Sequence, residues 1–169
     1  MRLWLLRHAK SSWDDPALED RDRPLAPRGE RAADEMRRYL DAEGVGPDLV
    51  VCSSALRTRQ TLARVLPGLG SELEIRIDPS CYTFDPTDLL ERLRRVPDGV
   101  GSVMLIGHNP AIEGLAVALC ARGDRLDGLT TKYPAGGLAE IELPTGGWSE
   151  VGDRTGELTR FVIPRDLGA

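Results

Sequence analysis

The stretch LWLLRHAKSSW, residues 3–13, places four apolar residues, Leu3 to Leu6, directly before Arg7-His8. A short continuous apolar run of this kind reads as a strand buried on both faces, as in a parallel sheet. It ends on a fixed cation and a titratable imidazole. The same pattern recurs twice. PDLVVCSS (47–54) runs from apolar residues into Ser53-Ser54, with Arg57 one turn later. SVMLIGHNP (102–110) runs through Ile106 into Gly107-His108. His8 and His108 are the only two histidines in the chain, and both fall where an apolar run stops.

Between these runs lie segments with helical periodicity. ERAADEMRRYLDAEG (30–44) puts Ala33, Met36, Tyr39 and Leu40 on one face and closes on Gly44. ALRTRQTLARVLPG (55–68) is stopped by Pro67-Gly68, and LEIRIDP (73–79) alternates as a short strand. DPTDLLERLRRVPDG (85–99) reads as a helix with Asp85 as N-cap and Pro86 at its first position. AIEGLAVALCARG (111–123) reads as a buried helix introduced by Asn109-Pro110 as cap and first residue. LAEIELPTGGWSEV (138–151) alternates about a turn at Pro144–Gly147, and ELTRFVIPRDL (157–167) is extended up to Pro164. DDPALEDRDRPLAPRGE (14–30) is polar, holds three prolines and reads as a long ordered loop.

Strand–helix alternation predicts an α/β fold: a three-layer α/β/α sandwich on a mostly parallel sheet, with an antiparallel edge from the C-terminal strands. Residues 1–169 are expected to form one domain, with no repeat or linker. Ligands of such sheets bind beyond the carboxyl ends of the strands, where Arg7, His8, Arg57 and His108 are all expected.

Composition excludes several function classes. The chain of 169 residues carries a net charge of −5, with no general attraction for nucleic acid or anionic membranes. No apolar run approaches the ~20 residues of a membrane span, and no secretory signal is expected at the start. Cys52, Cys81 and Cys120 are odd in number and scattered, without metal spacing. They read as buried hydrophobes in a reducing, cytoplasmic setting.

Two arginines offer planar forks that match phosphate oxygens. A neutral imidazole is a competent nucleophile near pH 7. Together these residue types point to phosphoryl transfer through a phosphohistidine. A single histidine at a strand end is more often a hydrogen-bonded core residue. Two of them, taken jointly with Arg57 and the order of the motifs, reverse that balance.

RHAKSSWDD, SSALRTRQT and LIGHNP, in this order, resemble the histidine phosphatase superfamily, the phosphoglycerate-mutase-like group. The small size and the wording RHAKSSWDD…DRPLAPRGE resemble its SixA-like phosphohistidine phosphatases, over nearly the whole chain. The resemblance implies a phosphoglycerate-mutase-like fold. It implies that His8 accepts the phosphoryl group, that Arg7 and Arg57 hold its oxygens, and that His108 stabilises it. No metal and no cofactor are implied. Ala9-Lys10 stand where many members carry Gly-Glu or Gly-Gln. Many members also carry an acidic proton donor after the strand near residue 77, where this chain has CYTFDPTD (81–88), with Thr83 in that place. Asp85 is then either a helix cap or the proton donor, and Asp14 and Asp15 are rival donors. Arg23 reads either as part of the phosphate rim or as a loop-anchoring ion pair, and Trp13 as pocket mouth or packing. Arg59 reads as solvated surface.

A phosphomonoester needs a proton for its leaving alkoxide. A phosphohistidine releases an imidazole with a pKa of roughly 6.5 and does not need a dedicated acid. The absent acid and the lack of a lid insertion favour a phosphorylated protein bearing phosphohistidine as substrate. A small phosphomonoester is the alternative. A non-catalytic phosphoanion-binding module is a third class, disfavoured by the intact His8.

Overall fold

The computed structural model describes residues 1–124 and 126–168. Among the described residues, seven strands form one sheet in the order β3-β2-β4-β1-β6-β7-β5. β1 (Arg2–Arg7) and β4 (Ser102–Gly107) occupy its centre and pair in parallel, Arg7 opposite Gly107. β2 (Leu49–Ser53) pairs in parallel with β4 and with β3 (Glu74–Asp78). Side chains on β1, β2 and β4 alternate between two apolar faces. Leu3, Leu5, Val51 and Leu105 enter one core, while Trp4, Leu6, Val50 and Ile106 enter the other. This two-sided burial is why the runs are continuously apolar. Truncating one of these residues, as in Leu5→Ala, costs about 2–5 kcal/mol.

The helices cover both faces, giving three layers. α1 (Pro27–Ala42), α2 (Leu56–Val65) and the short α6 (Pro164–Leu167) lie on one side. α3 (Pro86–Arg94), α4 (Ala111–Leu119) and α5 (Leu126–Thr131) lie on the other. α1 begins one turn before the expected Glu30, because Pro27 is pre-organised for the first helical position. Gly44, just past the C-cap Glu43, turns the chain away with a φ of +64° that suits glycine. At α4, Pro110 flanks the helix and the capping comes from Asn109, whose Oδ1 accepts from Glu113 N at 3.3 Å.

The C-terminal region departs most from the sequence reading. β6 (Leu138–Glu142) is antiparallel to both β1 and β7 (Gly156–Val162), so the one reversed strand lies inside the sheet and not at its edge. β5 (Cys120–Arg122) forms that edge, in a segment whose apolar content reads as helix. No hairpin turns at Pro144–Gly147. The chain instead makes a 3₁₀ turn at Trp148–Glu150, and Trp148 is fully buried with its Nε1 donating to Val100 O at 2.6 Å. A buried tryptophan with a partnered N–H adds a large apolar side chain to the core.

Cys52, Cys81 and Cys120 are buried and unpaired. Burial pushes the Cys52 and Cys81 thiols up to about 12 and the Cys120 thiol up to about 11. They are inert core residues. Among the described residues no helix is long and apolar enough to cross a membrane.

Candidate active site

Register brings the strand ends level. His8 N donates to Gly107 O at 3.0 Å, extending the β1–β4 ladder by one residue, and Cys52 stands opposite Ile106. His8, Ser53 and His108 therefore emerge together at the carboxyl edge of the sheet. Arg57, on the first turn of α2, reaches across them. The structure brings Arg57, His8 and His108 into direct contact, with the two imidazole centroids 5.2 Å apart.

Both tautomers follow from the partners. His8 Nδ1 lies 2.7 Å from Ala9 O, which can only accept, so Nδ1 carries the proton. The unprotonated Nε2 accepts from Arg57 Nε at 3.3 Å. His108 Nδ1 accepts from Arg57 Nη2 at 3.2 Å, and its Nε2–H donates to Ser53 Oγ at 2.7 Å. Burial lowers the His8 pKa to about 4, with Arg57 and Arg7 adding to the effect and the Ala9 hydrogen bond opposing it. Burial, then His8 and Arg57, lower that of His108 to about 3. Both rings are thus neutral at pH 7 in the ligand-free protein.

Arg7 donates from Nη1 to Tyr133 O at 2.7 Å, and its buried Nε has no acceptor among the described residues. Arg57 is 2% exposed. Its outer edge is held by Asp20, whose main-chain oxygen accepts from Nη1 at 2.5 Å and whose Oδ2 accepts from Nη2 at 2.9 Å. Its inner edge, Nε and Nη2, faces the histidines. Asp20 also accepts from Tyr82 Oη at 2.7 Å and pairs with Arg23 at 3.1 Å. These donors hold its carboxyl at about 2, against the desolvation that opposes them.

The 11–26 loop is folded back on the site. Ser12 N donates to Pro24 O at 2.8 Å and Ala26 N to Lys10 O at 2.9 Å. α1 presses against the same turn at Gly29, where a Cβ would come within 2.0 Å of Lys10 O. Arg23 anchors this loop: it donates to Asp20 and to Ser12 O and lies 3.4 Å over the Trp13 ring. It is 7% exposed and close enough to His8 to lower its pKa. Trp13 itself remains largely exposed.

Asp85 follows Phe84 at the head of α3. Its Oδ1 accepts from Thr87 N at 2.8 Å, so of its two readings the geometry carries the helix cap. Thr83 Oγ1 is turned to Asp88. Asp14 and Asp15 are exposed, with Asp15 capping its own loop through Ala17 N at 2.9 Å. Asp20 is the carboxylate bonded to Arg57, and the sequence does not single it out from the seven charged residues in its loop; Glu113, which accepts from Asn109 Nδ2 at 2.8 Å, lies close enough to Arg7 to oppose the lowering of its pKa. Ser53 was legible as the end of β2, but its bond to His108 was not. Tyr82 and Phe84 pack their rings 5.3 and 5.7 Å from His108, forming an aromatic wall. Among the described residues, no group of three His, Cys, Asp or Glu is placed to hold a metal ion.

The profile of the histidine phosphatase superfamily (branch 1) matches residues 3–81. An uncharacterized protein of Mycobacterium tuberculosis is 34% identical over 164 residues, covering 95% of this chain and all of that protein. The phosphohistidine phosphatase SixA of Escherichia coli is 28% identical over 122 residues, 71% of this chain and 74% of that one. A solved structure of a candidate phosphohistidine phosphatase SixA from Nakamurella multipartitia superposes with a TM-score of 0.83 at 29% identity, covering 96% and 95% of the two chains. Shared sequence over the whole chain, shared fold and the convergence of Arg57, His8 and His108 agree: the chain belongs to the histidine phosphatase superfamily and is a phosphatase.

Proposed function

We propose that the protein hydrolyses phosphohistidine on a protein partner, with His8 as nucleophile. The observation that carries the reading is the His8 ring: Nδ1–H is tied to Ala9 O, so the Nε2 lone pair faces Arg57 and His108. In the first step that lone pair forms a bond to phosphorus, and the P–N bond to the substrate imidazole breaks. The leaving imidazole keeps the bond pair and takes up a proton from solvent. In the second step water attacks phosphorus, the bond to His8 Nε2 breaks, and inorganic phosphate leaves with the water's oxygen.

Arg57 Nε and Nη2 and the unpartnered Arg7 Nε supply donors for the phosphoryl oxygens. Such preorganised donors are the main source of stabilisation for a transferring phosphoryl group. A dianion at this seat raises the His108 pKa, and the protonated Nδ1 then donates to a phosphoryl oxygen in place of accepting from Arg57. Arg23 adds positive potential from the loop. Asp20 is held ionised by its bonds from Tyr82 and Arg57, and Asp85 is engaged as a helix cap. This favours a leaving group that needs no dedicated acid.

The test compares turnover of a phosphohistidine protein or peptide with a panel of alkyl and aryl monoesters on one preparation, with His8→Ala beside it. The reading expects higher kcat/KM on phosphohistidine and no turnover in His8→Ala. A preference for alkyl monoesters would move the protein to the small-molecule class, and near-normal turnover in His8→Ala would remove the nucleophile.

A further inference from the structure

Beside the phosphoryl seat, and sharing Arg7 with it, lies an open groove of about 990 Å³. Its rim draws cations from four separate segments: Lys10 just past β1, Arg28 on α1, Lys132 just past α5 and Arg165 on α6. All four are exposed, and none makes an ion pair among the described residues. Lys10 and Lys132 are the only lysines in the chain. Asp124, Asp127 and Asp166 also line the groove, so five cations face three carboxylates in a protein whose net charge is −5. Pro134, Ala135 and Ile163 give it an apolar floor.

The groove is built onto the seat. Lys10 lies two residues past His8, and Lys132 precedes Tyr133, whose carbonyl accepts from Arg7 at 2.7 Å. Arg165 follows Pro164, which packs so closely that a Cβ on Gly136 would come within 2.8 Å of its ring. Gly136 N in turn donates to His8 O at 3.0 Å. The groove is thus tied, through Arg7 and Gly136, to the segment that carries His8.

We propose that this groove docks an acidic protein surface surrounding the phosphorylated side chain. A small anion is best held by a few buried, prearranged donors. Here the cations are exposed, unpaired and spread around an apolar floor, which is the anatomy of a protein interface. Unpaired rim charges select and steer a partner of opposite sign. The proposal rests on the phosphohistidine reading only for which residue carries the phosphoryl group.

The experiment uses two phosphohistidine peptides, one flanked by Asp and Glu and one by Ser and Gln, together with p-nitrophenyl phosphate, which reads the seat alone. The intact protein should favour the acidic peptide by about 10-fold in kcat/KM at low salt and lose that preference as salt screens the rim. The variant carrying Lys10→Gln, Arg28→Gln, Lys132→Gln and Arg165→Gln should show no preference, with p-nitrophenyl phosphate turned over as before. If that variant does not fold, Lys132→Glu alone, at an exposed position, should cut the preference. Equal kcat/KM for the two peptides on the intact protein, or a preference that survives either substitution, would overturn the proposal. If neither phosphohistidine peptide is hydrolysed, the substrate reading fails by itself. The same two sequences carrying phosphotyrosine then report on the groove by the same ratio.

Discussion

The two histidines make stability depend on pH in a window they occupy alone. In the unfolded chain each titrates near 6.5. In the folded protein they are held at about 4 and about 3, chiefly by burial. The folded-state values are depressed, so between them and 6.5 the unfolded chain binds more protons than the native one. Stability is then fully present above pH 6.5 and is lost as pH falls toward 4 and 3. Working the linkage from pH 7.5 to pH 5 gives a loss of about 2 kcal/mol per histidine, about 4 kcal/mol together. For a chain of this size that corresponds to a fall in Tm of about 10 °C. Asp20, held at about 2, contributes only below its unfolded value near 3.8 and does not enter this range. Thermal unfolding in a buffer free of phosphate, at half-unit steps from pH 7.5 to 5, measures the slope. His108→Gln should roughly halve it, since no third histidine exists in the chain. A Tm that stays constant over the window, or an unchanged slope in His108→Gln, would refute the assignment of two buried neutral imidazoles.

Arg57→Lys should lower kcat by about 10²–10³-fold, because one ammonium cannot meet His8, His108 and both the main-chain oxygen and Oδ2 of Asp20 at once; steady-state kinetics on p-nitrophenyl phosphate checks it. Gly29→Ala should destabilise by about 1–3 kcal/mol and disturb turnover, since its Cβ would meet Lys10 main chain at 2.0 Å; denaturant unfolding and kcat read the two effects. Asp85→Asn should leave stability within about 0.5 kcal/mol, because Asn caps as well as Asp, and leave turnover intact; a loss of monoester turnover that grows with leaving-group pKa would make Asp85 the acid.

What was legible depended on how local its cause was. The strands β1, β2 and β4 announce themselves because both their faces are buried, and the residues ending them are the site. Pro86 and Asp85 announce α3 through chain chemistry that needs no tertiary partner. β5 was hidden because its apolar neighbours continue the pattern of α4, and only pairing with β7 makes it a strand. The turn expected at Pro144–Gly147 gives way to a 3₁₀ turn that buries Trp148, a long-range packing event that alternation along the chain does not encode. Asp20 was illegible for a similar reason. Nothing in EDRDRPL separates one acid from another until the loop folds back and one carboxylate meets Arg57.

The central claim is a covalent bond from His8 Nε2 to phosphorus. Rapid mixing with a ³²P-labelled phosphohistidine donor, quenched in base where phosphohistidine survives, followed by peptide mapping, tests it most directly. The account predicts label on the peptide containing His8, at Nε2, none in His8→Ala, and its disappearance at the rate of phosphate release. Turnover in the intact protein with no label on His8, or label on His108 instead, would contradict it.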